Sequence, residues 1–77
     1  MDKLIKKMVE LIRKYNPKTR MASVKVVTSD RGVLLVIRGV DARYMSNALY
    51  HLARALGRRR VRRWPCGDGP EWCVSFY

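Results

Sequence analysis

The chain has 77 residues, of which 48% are hydrophobic, and its 17 Lys and Arg against 6 Asp and Glu give a formal net charge of +11 at pH 7. This length and composition predict a single domain over residues 1–77, exclude general disorder, and leave no apolar run near the roughly 18–20 residues that cross a membrane. The charge exceeds the magnitude of about 2–8 that is usual for a small domain, which favours a polyanionic partner that releases its condensed counterions on binding.

The first predicted element is an amphipathic helix over Asp2–Tyr15, whose apolar residues recur at helical spacing. Asn16-Pro17 ends it, because the residue before a proline is kept out of the helical region. A basic amphipathic helix can lie on a membrane, but this one has no Trp or Phe on its apolar face and precedes strands that need a cover. We therefore expect core packing without membrane contact, and, in the absence of a signal-peptide apolar core, a cytoplasmic protein.

A β-hairpin follows the first helix. Residues Ala22–Thr28 alternate as a strand does, with Lys25 on one of its faces. Ser29–Gly32 is typical of a turn, and Val33–Arg38 is the returning strand. The continuous apolar run of that strand predicts burial on both faces or a central place in the sheet. The same run can feed a homodimer interface, because a small sheet with helices on one side leaves apolar residues to cover.

The second predicted helix begins after Gly39, has Asp41 as its N-cap and ends at Gly57, a residue that tolerates the left-handed conformation of a helix C-terminus. A second hairpin follows, with arms Arg58–Trp64 and Glu71–Tyr77 joined by a loop rich in Gly and Pro. The order α-β-β-α-β-β predicts an α+β fold in which a four-stranded antiparallel sheet carries two helices on one face.

The arginine run Arg58–Arg63 holds five arginines in six residues. Alternation in a strand puts Arg60, Arg62 and Trp64 on one face. If Val61, on the other face, points at the helices, those three side chains stand on the open face of the sheet. Arginine binds phosphates bidentately and tryptophan stacks on bases, which together hold single strands without sequence preference. The alternative is an edge strand kept charged against sheet-to-sheet aggregation.

Three further residues extend this predicted surface. Tyr77 shares the open face if the larger side chains of its strand face the core, and Lys25 and Arg38 join it if their faces match. A β-bulge in any strand would invert these assignments. The predicted nucleic-acid-binding residues are Lys25, Arg38, Arg58, Arg60, Arg62, Arg63, Trp64 and Tyr77.

Cys66 and Cys73 flank the loop of the second hairpin and can form a disulfide, because opposed hairpin positions can meet disulfide geometry. Free thiols are the alternative. A zinc site needs four ligands and His51 is the only other candidate, so we expect no metal. His51 has no nucleophile partner, the carboxylates are scattered, and no phosphate-binding glycine loop occurs. We therefore expect no catalysis, no cofactor and no small-molecule substrate.

The whole-chain pattern of a helix-covered antiparallel sheet, high basic charge and aromatic residues beside the arginines of Arg58–Trp64 resembles the ThermoDBP-related single-stranded DNA-binding proteins of hyperthermophilic archaea. The resemblance covers most of the chain and rests on no single motif. It implies a basic cleft with an apolar floor that binds single-stranded DNA, and a dimeric or larger assembly.

We therefore expect a non-catalytic protein that binds single-stranded nucleic acid, with DNA as the first candidate, and that forms a homodimer. A second interpretation is a protein that binds structured RNA, such as a ribosomal or tRNA-associated protein. A third is a basic protein–protein adaptor or a small viral dimer whose arginines meet an acidic partner. The third interpretation predicts co-purification with a protein and no nucleic-acid binding at about 150 mM salt.

Overall fold

A computed structural model describes residues 2–77 of the chain. The elements in order are α1 (Asp2–Tyr15), a 3-10 turn (Pro17–Thr19), β1 (Ser23–Ser29), β2 (Gly32–Arg38), α2 (Ala42–Ala55), β3 (Arg62–Pro65) and β4 (Glu71–Phe76). The four strands form one antiparallel sheet in the order β1-β2-β4-β3, and both helices cover the same face of it. The predicted α+β fold with the order α-β-β-α-β-β is confirmed.

The hydrophobic core fills the space between the sheet and the two helices. In the central strand β2, alternate residues Val33, Leu35 and Ile37 are buried. They meet the apolar stripes of α1 and α2, whose buried residues include Ile5, Met8, Ile12, Met45, Leu49 and Ala53. Each fully buried aliphatic side chain of this kind stabilises the fold by about 1.5–3 kcal/mol.

Both helices are short and amphipathic. Each has 14 residues, and no helix within residues 2–77 is long and apolar enough to span a membrane. Most of the apolar stripe that periodicity predicts in α1 packs into the core, in agreement with core packing, whereas its members Leu11 and Tyr15 are exposed.

Strand pairing is one-to-one along the whole sheet, without a bulge. Val26 of β1 pairs with Leu35, and Leu35 pairs with Val74 of β4, so these three residues lie on the helix-covered face. The intervening residues of each strand therefore lie on the opposite face, which we call the open face. The predicted central place of β2 is confirmed.

The C-terminus of α2 is closed by a glycine. Gly57 has φ +78 and its N–H donates to the carbonyl oxygen of Arg54 at 3.0 Å. The N–H of Arg58 donates to the carbonyl oxygen of Ala53, also at 3.0 Å. This pair of bonds is a Schellman motif, so Gly57 ends the helix as predicted and Arg58 belongs to the helix terminus.

The predicted strand Arg58–Trp64 is wrong in its first half, because β3 begins only at Arg62. Arg60 has φ +52, a left-handed conformation that a strand does not contain. The carbonyl oxygen of Arg59 instead accepts a hydrogen bond from the N–H of Tyr77 at 2.9 Å. The residues after the helix therefore form a turn that carries the chain to the edge of the sheet.

Asp41 occupies the predicted N-cap position of α2, but its side chain does not cap the helix. Its Oδ2 accepts a hydrogen bond from the N–H of Met21 at 2.8 Å. The backbone N–H of Asp41 also donates to the carbonyl oxygen of Met21, at 3.3 Å. The carboxylate therefore ties the start of α2 to the segment that enters β1, and the expectation of a capping bond is wrong.

Replacing Gly57 by alanine is expected to lower the free energy of unfolding by about 1–2 kcal/mol, because a side chain strains the left-handed conformation. No heavy atom lies within 4 Å of the place that the new Cβ would occupy, so crowding does not contribute. Gly69→Ala is the matched control, since Gly69 also has nothing within 4 Å and does not have a left-handed φ. Urea unfolding measures both variants, and an equal loss in the two contradicts the conformational explanation.

Candidate nucleic-acid interface

Alternate residues of all four strands build the open face. Trp64 of β3 pairs with Cys73, and Arg62 pairs with Ser75, both of which lie between the core residues of β4. On β1, Lys25 pairs with Val36. The register thus brings four of the predicted residues from three strands onto one face: Lys25, Arg38, Arg62 and Trp64.

The charge of the open face is almost entirely positive. Among the strand residues that the structure describes, Glu71 is the one acidic residue on this face, and its Oε2 accepts a hydrogen bond from Arg38 Nε at 2.8 Å. This pair is the one salt bridge among the described side chains. The Arg38 side chain is 72% exposed, and an ion pair with one partner in water contributes about 1 kcal/mol or less, so Arg38 stays available to an anion.

One end of the open face forms a groove of about 390 Å³, which we call the open-face groove. Val27 and Leu34, which pair across β1 and β2, supply its apolar floor. Its other lining residues include a basic and aromatic set: Arg31, Arg60, Arg62 and Tyr77. Guanidinium groups of this kind suit phosphates, and an apolar floor suits bases or sugars.

Arg60 and Tyr77 line this groove as neighbours of the sheet, whereas the sequence pattern predicts both of them in strands. The guanidinium carbon of Arg60 lies 5.4 Å from the centroid of the Tyr77 ring, a cation–π geometry. Arg60 stands in the turn before β3, and Tyr77 follows the last residue of β4. The two residues are therefore together at the end of the sheet although neither is in a strand.

Arg63 lies on the helix-covered face, away from the other predicted residues. Its Nε donates to Ser46 Oγ at 2.9 Å, and one of its terminal nitrogens donates to the carbonyl oxygen of Arg43 at 3.0 Å. Its guanidinium carbon lies 4.0 Å from the centroid of the Trp72 ring. Burial, with a smaller contribution from the charge of Arg43, lowers the pKa of Arg63 from its ordinary value. Arg63 therefore joins β3 to α2.

Arg58 is also separate from the open face. Its guanidinium carbon lies 5.9 Å from the centroid of the Phe76 ring, which belongs to the core. Together with Leu56 and Tyr77 it lines a recess at the end of α2. Of the eight predicted residues, the open face and its groove therefore contain all except Arg58 and Arg63.

Arg31 is the charged residue of this groove that the sequence prediction omitted. It lies in the turn between β1 and β2, next to Gly32. Its proximity to Arg60 depends on the pairing of β2 with β4, because that pairing brings the first turn to the end of the second hairpin. Periodicity within one hairpin carries no signal for such a contact.

Cys66 and Cys73 form a disulfide, with their Cα atoms 5.9 Å apart. Cys73 is the cross-strand partner of Trp64, and the N–H of Cys66 donates to the carbonyl oxygen of Glu71 at 3.1 Å. The bond thus closes the β3–β4 hairpin directly beside Trp64. Of the two alternatives that the spacing allows, the structure has the disulfide.

Within residues 2–77, no three His, Cys, Asp or Glu side chains are grouped closely enough to hold a metal ion. Comparison of the chain with protein-family models, with curated proteins and with solved structures finds no match. The positions of the chain's own side chains are therefore the basis for a functional proposal.

Removal of the disulfide by the double substitution Cys66→Ala and Cys73→Ala is expected to lower the free energy of unfolding by about 2–3 kcal/mol, because the short closed ring restricts the unfolded chain. Urea unfolding with and without a reductant measures the effect. The reductant should destabilise the parent and leave the double variant unchanged. A parent that is insensitive to complete reduction would contradict the prediction.

The neighbouring residues Arg62 and Arg63 are expected to differ in their effect on stability. Arg63→Ala removes two hydrogen bonds and the contact with Trp72, so the free energy of unfolding should fall by about 1–3 kcal/mol. Arg62→Ala changes an exposed side chain and should stay within about 0.5 kcal/mol of the parent. Equal losses in thermal or urea unfolding would argue against the assignment of the two arginines to opposite faces.

Proposed function

We propose that the open face of the sheet binds single-stranded nucleic acid, with single-stranded DNA as the first candidate. The observation that carries this proposal is that Lys25 of β1 and Arg62 and Trp64 of β3, from the two edge strands of the sheet, share one uncovered face of a protein with a net charge of +11. Ammonium and guanidinium groups hold phosphates, and the indole ring stacks on a base. The proposed function is also the one that the family resemblance implies.

The apolar part of the open face favours an unpaired strand over a duplex. Leu34 and Val36 lie between the cationic residues, and Trp64 is 38% exposed. A duplex presents phosphates and groove edges, so it would use the charges and leave the apolar surface in water. An unpaired strand can turn its bases toward that surface, where burial of apolar area and ring stacking both contribute.

The open face is wide enough for several nucleotides. β1 and β3 are the two edge strands, three inter-strand spacings apart, which corresponds to about 14 Å. Lys25 lies on one edge strand and Arg62 with Trp64 on the other. A nucleic-acid strand that crosses the sheet therefore meets a cationic side chain at each edge and apolar side chains between them.

Homodimer formation stays a prediction, but the fold weakens the argument that the apolar run Val33–Ile37 forms the interface. Of the apolar run Val33–Ile37, Val33, Leu35 and Ile37 face the core. Only Leu34 and Val36 of that run remain on the open face, where the proposed function already uses them. A dimer compatible with that function would therefore need another surface, and sedimentation at several protein concentrations tests for one.

Trp64→Ala is expected to weaken the binding of a single-stranded oligonucleotide by about 5- to 150-fold, equivalent to about 1–3 kcal/mol for one stacked base. Fluorescence anisotropy of a labelled oligonucleotide measures the dissociation constant at a fixed salt concentration. Tyr44→Ala is the matched control, because Tyr44 is an exposed aromatic residue of α2 that lines none of the grooves described here. Equal affinity of parent and Trp64→Ala would rule out the stacking part of the proposal.

The same titration separates the proposed function from its rivals. The logarithm of the affinity should fall with the logarithm of salt concentration at a slope near −0.7 for each neutralised phosphate. Competition among single-stranded DNA, duplex DNA and folded RNA identifies the preferred nucleic acid, and a preference for folded RNA supports the second interpretation. If none of the three binds at about 150 mM salt, the proposed function is refuted, and the third interpretation, an acidic protein partner, is favoured.

A further inference from the structure

A second groove lies beyond the open face, between α2 and the edge strand β3. It has a volume of about 560 Å³, and we call it the α2–β3 groove. Its lining residues are Asn47, Tyr50, His51, Arg62, Arg63 and Trp64. None of the three helix residues belongs to the site predicted from the sequence, and the groove exists because β3 is the last strand of the sheet.

The helical wall of this groove carries polar and aromatic groups on one flank. Asn47, Tyr50 and His51 stand at positions i, i+3 and i+4 of α2, so they are neighbours on the helix surface. The Tyr50 and His51 rings meet edge to face with centroids 5.3 Å apart. Arg54 donates a hydrogen bond to the Tyr50 hydroxyl at 3.1 Å, which restrains that ring. The Tyr50 ring is thus held in place by its contacts with His51 and Arg54.

The strand wall of the groove is held in place by Arg63. Its bonds to Ser46 and to the carbonyl oxygen of Arg43 join β3 to α2, so the width of the groove is set by a direct contact between its two walls. The two residues that flank Arg63 in sequence, Arg62 and Trp64, both line the groove from the strand side. A flat ring, a guanidinium group and a helical flank therefore face one concave space.

Arg62 connects this groove with the open-face groove, because it lines both. A nucleic-acid strand bound on the open face can therefore pass over β3 and stay in contact with positively charged side chains. The edge itself is poorly suited to a protein strand, since β3 has four residues and ends in Pro65, which lacks an N–H. The occupant that the charge and the aromatic groups favour is the next part of the same nucleic acid.

We infer that the α2–β3 groove is a subsite for one base of the bound strand, and that Asn47 reads the edge of that base that carries N6 and N7 in adenine, where adenine is the base that offers a donor beside an acceptor. The inference rests on the proposed function. The Asn47 side chain is exposed and has no hydrogen-bond partner among the described residues. Its amide offers an adjacent donor and acceptor, which match the N6 and N7 groups of adenine, while Trp64 supplies a stacking surface.

The test compares oligo(dA) and oligo(dT) of about 12 nucleotides on the parent and on Asn47→Ala at one salt concentration. The quantity of interest is the ratio of the two dissociation constants, because the self-stacking of oligo(dA) is the same for both proteins and cancels. The preference for oligo(dA) should fall by roughly 5- to 150-fold in Asn47→Ala, with the affinity for oligo(dT) unchanged. Asn47→Gln, which keeps the amide, should retain part of the preference.

Two failures are distinguishable in this experiment. If the parent binds neither oligonucleotide at about 150 mM salt, the proposed function is wrong, and the inference is wrong with it. If the parent binds but Asn47→Ala leaves the ratio unchanged, or weakens both oligonucleotides equally, the base-reading role of Asn47 is overturned while the proposed function stands. Tyr44→Ala, on the same helix but outside the groove, should leave both affinities at the parent values.

Discussion

The paired position of β2 in the centre of the sheet is the constraint on which both faces of the protein depend. Because β2 is paired one-to-one on both sides, the burial of Leu35 fixes the orientation of every residue in β1 and β4, and through β4 that of β3. A slip of one residue between β3 and β4 would turn Arg62 and Trp64 toward the helices and expose Arg63 instead. The pairing that builds the core therefore also determines which cations reach solvent.

The high charge of the chain limits how its arginines can be used. A net charge of +11 on 77 residues opposes a compact state by self-repulsion, so most cations must stay hydrated at the surface. Arg63 is an exception in its run, because two hydrogen-bond acceptors and the Trp72 ring replace the water that it loses. Arg62, one residue earlier, keeps its charge in solvent. A polyanion bound there would relieve the repulsion that the fold tolerates.

Local patterns in the sequence predict this fold well, and non-local contacts account for the differences. The bounds of α1 and the central place of β2 follow from periodicity. Strand alternation makes the open-face position of Trp64 depend on the orientation of Val61, and leaves the face of Lys25 undetermined until the register is known. The turn after Gly57 was not predictable, since a run of arginines has no hydrophobic period and the turn is held by a bond from Tyr77. Strand alternation puts Arg63 on the same face as Val61, so the sequence itself indicates that Arg63 lies away from the open face.

The shortest strand, β3, carries both Arg62 and Trp64 of the open face, and two contacts hold it in addition to its pairing with β4. β3 has four residues and one neighbouring strand, which alone would leave it prone to fraying. The disulfide fixes β3 to β4 beside Trp64, and the bonds of Arg63 fix it to α2. Because the backbone at Trp64 is held in this way, the stacking that we propose would cost little backbone entropy. The side chains that stabilise this edge, Arg63 and the disulfide, are therefore direct neighbours of Arg62 and Trp64, the residues of the proposed binding surface.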